Sequence, residues 1–180
     1  MSYKVIDNFL SEDLLKKINT FIKGPDCPWY YRPQDVITSS IKENSNLKKN
    51  KNGFFCFCYY NDFAPRHNSF YEHIVPILND LDVAAPLEAR VNLNFRDIDS
   101  NESKYHTDRT YDNFLTAILY LTTCNAKTIL KIENENFSID SKENRIVIFD
   151  GNIPHKVQYQ TDSHKRYVIN LNYVPKHKII

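Results

Sequence analysis

Ser11 is followed by the acids Glu12 and Asp13, and apolar side chains then recur at Leu14, Leu15, Ile18, Phe21 and Ile22 before Gly24. A capping hydroxyl, acids in the first turn, a helical apolar period and a terminal glycine predict one amphipathic helix between Ser11 and Gly24. A second stripe at Phe70, Ile74, Ile77, Leu78 and Leu81 predicts another helix, weakened in its first half by Pro76. Phe54 to Tyr60 reads as a strand. From Arg90 onward the period changes from helical to extended, with strands expected over 90–96, 114–122, 128–132, 145–149, 155–159 and 166–174.

Two of these strands alternate informatively. Tyr167, Ile169, Leu171 and Tyr173 oppose Arg166, Val168, Asn170 and Asn172, while Val91, Leu93 and Phe95 oppose Arg90, Asn92, Asn94 and Arg96. An oily face packed on the two helices, with the polar face lining a barrel lumen, accounts for both. An ordinary solvated outer face accounts for the alternation equally well.

Composition narrows the function classes. The 180 residues suit one domain, and 23 basic against 22 acidic residues leave no global field calling for nucleic acid or an anionic membrane. Three glycines, Gly24, Gly53 and Gly151, cannot write a dinucleotide-binding or P-loop signature. No run approaches the ~18 apolar residues of a membrane span, and the start MSYKVIDNFL lacks secretory-signal regions, so a cytoplasmic protein is expected. Cys27, Cys56, Cys58 and Cys124 form no C-x-x-C pair and read as reduced thiols. The irregular segment from Gly24 to Gly53 suits either a substrate lid or a solvated connector. Trp29, Tyr30 and Tyr31 suit either an aromatic wall for a substrate or ordinary packing.

The candidate chemistry lies in His106-Thr107-Asp108, then His155, then Arg166 after ten intervening residues. Chance alone supplies a His-x-acid triplet roughly once in a chain of this composition, so order and strand context must carry the information. His106 and Asp108 are two apart, so on extended chain both reach one side. A hairpin from His155 would place it beside Arg166 on adjacent antiparallel strands. Two imidazoles and one carboxylate make the facial triad of non-haem Fe(II), which leaves coordination positions open for a chelating cosubstrate and O2. Arg166, always charged and able to fork two hydrogen bonds, suits the far carboxylate of a dicarboxylate.

In this pattern, H-x-D, then H, then ten residues, then Arg, the chain resembles the Fe(II)- and 2-oxoglutarate-dependent dioxygenases, specifically the prolyl-4-hydroxylase-like branch. YKVIDNFL, AILYL, NRIVIFDGNIPHKV and RYVINLNYV resemble its opening strand, a core strand and its last strands. The resemblance implies a mainly β fold: a double-stranded β-helix, or jelly roll, buttressed by helices. A single domain would span 1–180, with 1–89 giving helical support, a lid loop and outer strands, and 90–174 the β core. It implies Fe(II) on His106, Asp108 and His155, with 2-oxoglutarate held by Arg166 and Tyr120. Leu130 would pack on the cosubstrate chain, and Asn94 and Arg96 would face the site, Arg96 standing where many relatives carry tyrosine. Val168 stands where some branches have serine, so Tyr120 would supply the hydroxyl contact.

The implied activity is a hydroxylase that couples decarboxylation of 2-oxoglutarate to succinate and CO2 with insertion of oxygen from O2, ascorbate serving as a reductant. Its implied substrate is a protein or peptide side chain, proline first. A free amino acid or a nucleobase is the alternative substrate, and a non-catalytic jelly-roll binding module that retains the metal site is the alternative of another class.

Overall fold

The computed structural model describes residues 3–33, 53–96 and 102–177. Along the chain these form β1 (Tyr3–Ile6), α1 (Glu12–Lys23), β2 (Tyr30–Arg32), β3 (Phe54–Asn61), β4 (Ala64–Pro65), α2 (Ser69–His73) and α3 (Val75–Asp80). There follow β5 (Val83–Phe95), β6 (Leu115–Tyr120), β7 (Lys127–Ile132), β8 (Glu135–Asp140), β9 (Ile146–Asp150), β10 (His155–Gln158) and β11 (Lys165–Pro175).

The first helix forms as its pattern predicts. Ser11 Oγ accepts from the Leu14 amide, and the Gly24 amide closes on the Phe21 carbonyl. The second stripe becomes two short helices, because Pro76 lacks an amide hydrogen and can sit only in the opening turn of a new one. Ile74, at the junction, still donates to Phe70 O at 2.9 Å.

All strand pairs are antiparallel, in two sheets. The larger runs β1-β9-β6-β11-β5-β3-β2, with β4 on β3; the smaller runs β10-β7-β8. Bridges from Glu102 to Gln158 and from His106 to His155 extend the smaller sheet by one more stretch of chain. This is the jelly roll expected from the resemblance.

Its two faces differ as the alternation suggested. Val91, Leu119, Ile169 and Leu171 bury their side chains against Ile18, Ile22, Ile74 and Ile77 of the helices, each worth about 1.5–3 kcal/mol in removed apolar surface. On the other face, Ile118, Tyr120, Leu130, Val147, Phe149 and Val168 make a second cluster between the sheets. The polar residues of β5 and β11 line the remaining space there.

Three expectations are corrected. β10 pairs with β7 and β11 with β5 and β6, so His155 and Arg166 stand on opposite sheets and not on one hairpin. β5 begins at Val83, before the expected Arg90, and runs through Pro86 where its register with β11 shifts and no ladder amide is needed. β8 was not expected at all: it is a sheet edge, largely exposed, with little apolar pattern. Of the lid expected over 24–53, residues 34–52 lie outside the described residues, and the part that is described pairs as β2 with β3. Trp29 packs on Tyr167 with ring centroids 5.9 Å apart, while Tyr30 and Tyr31 are exposed. All four cysteines are free thiols, three buried and Cys58 partly so. Among the described residues no helix is long and apolar enough to cross a membrane.

Candidate metal centre

His106 and His155 exchange both backbone hydrogen bonds, at 3.0 and 2.9 Å, so they are directly opposed in an antiparallel pair and project to one side. Their rings lie 4.6 Å apart. Each Nδ1 stands 3.2 Å from the carbonyl oxygen two residues earlier, Lys104 O for His106 and Ile153 O for His155. A carbonyl can only accept, so both rings carry their proton on Nδ1 and turn the Nε2 lone pair inward.

Asp108 meets those lone pairs. Its Oδ1 lies 3.8 Å from His106 Nε2 and its Oδ2 3.8 Å from His155 Nε2, and its side chain is 1% exposed. These gaps are too long for hydrogen bonds. Burial pushes the Asp108 carboxyl upward, but the neighbouring His155 and Arg90 outweigh it and hold the group well below the ordinary carboxylate range. Burial lowers His155 to about 4 despite the attraction of Asp108, so its ring is neutral at pH 7. One ligand atom from each of the three side chains lies within 4.8 Å of the other two, an arrangement that suits a cation between them. The two-imidazole, one-carboxylate set fits a divalent iron ion.

The other expected residues divide. Arg166 faces the same lumen as His106 and His155 from the opposite sheet. It is 1% exposed; its Nε donates to Ser141 Oγ at 3.3 Å, its Nη2 has no partner, and no acidic side chain among the described residues pairs with it. Asn94, its register partner on β5, lines the lumen beside it. Tyr120 lies in the inner cluster with its ring 5.4 Å from the Arg166 guanidinium, and its hydroxyl donates to Thr128 Oγ1 at 2.8 Å. Burial pushes that hydroxyl up to about 12, which keeps it a donor. Leu130 is buried opposite His155 in the β7–β10 register. Arg96 is not brought to the site: it is exposed at the end of β5 and donates to the Thr161 carbonyl at 3.3 Å.

Sequence reasoning missed the residues that hold Asp108. Arg90 Nη2 approaches its Oδ1 at 3.4 Å, and Asn170 Nδ2 donates to its Oδ2 at 3.0 Å. Alternation had placed both on polar strand faces, but nothing along the chain names their partner.

No family profile matches the sequence, and no curated protein matches it. Solved structures do match the coordinates. An oxidoreductase of the 2OG-Fe(II) oxygenase family from Burkholderia pseudomallei aligns with TM-score 0.71 at 8% identity, over 96% of this chain and 85% of that one. The chain has the fold of the 2-oxoglutarate/Fe(II) oxygenases. A prolyl-4-hydroxylase from Pseudomonas putida shares that oxygenase fold with TM-score 0.59 and 14% identity, over 98% and 94% of the two chains. So does a prolyl hydroxylase from Trichoplax adhaerens in complex with a hypoxia inducible factor peptide fragment, with TM-score 0.60 and 17% identity over 97% and 84%.

Proposed function

We propose that this protein is an Fe(II)- and 2-oxoglutarate-dependent oxygenase that hydroxylates a C–H bond of a protein or peptide side chain. The carrying observation is Arg166, a buried guanidinium with an unpartnered Nη2 and no acidic partner among the described residues, in the lumen that also receives His106 and His155. A buried cation is costly unless an anion meets it, and a dicarboxylate anchored at Arg166 would meet it.

His106, Asp108 and His155 would hold the iron, which when bound supplies O2 activation coupled to decarboxylation of 2-oxoglutarate. The Lys104 and Ile153 carbonyls keep both imidazoles in the ligating tautomer. Arg90 and Asn170 keep the Asp108 carboxylate from turning away. Arg166, with Ser141 and the Tyr120 ring behind it, would fix the distal end of the cosubstrate. Thr128, whose Oγ1 accepts the Tyr120 hydrogen bond and which lines the lumen, retains its own hydroxyl hydrogen to donate there. Ile118, Val157 and Val168 give the lumen apolar patches that limit water.

The prolyl hydroxylase structures of the same fold, one of them holding a peptide, favour a peptide substrate with proline first. The test is conversion of 2-oxoglutarate to succinate by purified protein with Fe(II), O2 and ascorbate, alone and with a peptide panel. A peptide that gains one oxygen atom by mass spectrometry is the expected result. Succinate without a modified peptide redirects the search to free amino acids and nucleobases, and no succinate at all leaves a jelly-roll binding module.

A further inference from the structure

Asp108 is the one member of the triad outside any strand or bridge. His155 opens β10 and His106 is bridged to it, whereas Asp108 lies in irregular chain between that bridge and β6. Side chains from the larger sheet reach across to it instead. Arg90, bonded to Asp108 by Nη2, places its Nη1 3.1 Å from Glu88 Oε1. The other oxygen of Glu88, Oε2, lies 3.2 Å from Arg109 Nη2. Arg109 is the next residue after Asp108, so the ion pairs close a ring: Asp108 to Arg90, to Glu88, to Arg109, and back through one peptide bond. Asn61, opposite Glu88 in the β3–β5 register, accepts a further hydrogen bond from Arg109.

We infer that Glu88, Arg90 and Arg109 are positioning residues, a charged clamp that docks the irregular Asp108 segment onto β5 and thereby sets the affinity of the triad for its metal. The inference rests on the proposed metal site and adds to it two side chains, Glu88 and Arg109, that reach Asp108 through Arg90 and through the chain. Burial favours the clamp: the Glu88 side chain is 5% exposed, Arg90 14% and Arg109 25%, so these pairs are less screened than pairs on the open surface. Glu88 bridges both guanidinium groups, one through each carboxylate oxygen.

Positioning can be separated from a simple field effect. Removing the positive charge of Arg109 from the neighbourhood of a divalent cation would tighten binding if the charge alone mattered. Loosening the Asp108 segment would weaken it. Arg109→Met and Glu88→Gln are therefore titrated with Co(II) under anaerobic conditions, followed by the visible Co(II) bands, with the melting temperature of each metal-free protein measured alongside. Both variants are expected to fold and to bind Co(II) about 10-fold or more weakly than the wild type, with the bands altered. Wild-type affinity or tighter binding in Arg109→Met overturns the clamp; if that variant does not fold, unchanged affinity in Glu88→Gln does the same. A wild type that binds no Co(II) overturns the metal site itself, a separate result from intact binding in both variants, which sinks only the clamp.

Discussion

Arg166→Met tests the cosubstrate reading because it should act in opposite directions on two measurements. The guanidinium is buried, donates through Nε to Ser141 Oγ at 3.3 Å, and leaves Nη2 unpartnered among the described residues. Methionine keeps much of the apolar stem and removes the charge. Replacing an ill-compensated buried ion by an apolar side chain is typically neutral or stabilising by about 1–4 kcal/mol. At about 2–4 °C per kcal/mol for a chain of this length, the metal-free variant should melt at the wild-type temperature or several degrees above it. Ligand binding should move the other way. A forked pair of charge-assisted hydrogen bonds to a carboxylate is worth about 3 kcal/mol, so affinity for 2-oxoglutarate should fall roughly 100-fold. The assay is calorimetric titration of 2-oxoglutarate into Mn(II)-loaded protein without O2, beside thermal melts of the metal-free forms. Unchanged affinity would refute the anchor, and a melting temperature more than about 10 °C lower would show that Arg166 serves the fold instead.

Asp108→Ala should abolish Co(II) binding and succinate formation while leaving the metal-free melting transition in place, since Arg90 keeps Glu88 as a partner; retained Co(II) bands would remove Asp108 from the site. Gly151→Ala should lower the melting temperature by roughly 3–10 °C, a cost of about 1–3 kcal/mol, because the added Cβ would fall 2.1 Å from the ring of buried Phe114 in the turn leading to His155. His73, buried with Nδ1 2.9 Å from the Tyr59 hydroxyl, is held below its ordinary pKa of 6.5 by desolvation. Its contribution to stability is therefore complete above pH 6.5 and is lost as pH falls through its lowered folded value, which chemical unfolding of wild type and His73→Phe across that range would detect as a flatter profile in the variant.

The legible parts of the molecule are those governed by local rules. The cap at Ser11, the stripe from Leu14 to Ile22 and the alternation of 166–173 each reflect a period imposed by backbone geometry on a surface with one buried side, and each formed as read. The Pro76 break was visible because proline lacks a donor whatever surrounds it. β8 escaped because an exposed edge imposes no apolar pattern, and the polar rows of β5 and β11 could not be told from a solvated face until a second sheet covered them.

The spacing from His106 through Asp108 and His155 to Arg166 was a property of the chain itself, and its order, with the resemblance to the dioxygenase pattern, named a candidate donor set and a candidate anchor. Which strands bring those groups together was not. Sheet pairing joins residues by hydrogen bonds that are blind to side-chain identity, and it set His155 beside His106 and Leu130 instead of Arg166. Asp108 found Arg90 and Asn170 at separations of 18 and 62 residues, and the ring through Glu88 and Arg109 closes only when β5 passes beneath the irregular segment. Sequence set the chemistry that was present; packing between the sheets decided which charges met, because contact energies depend on distance in space and not along the chain.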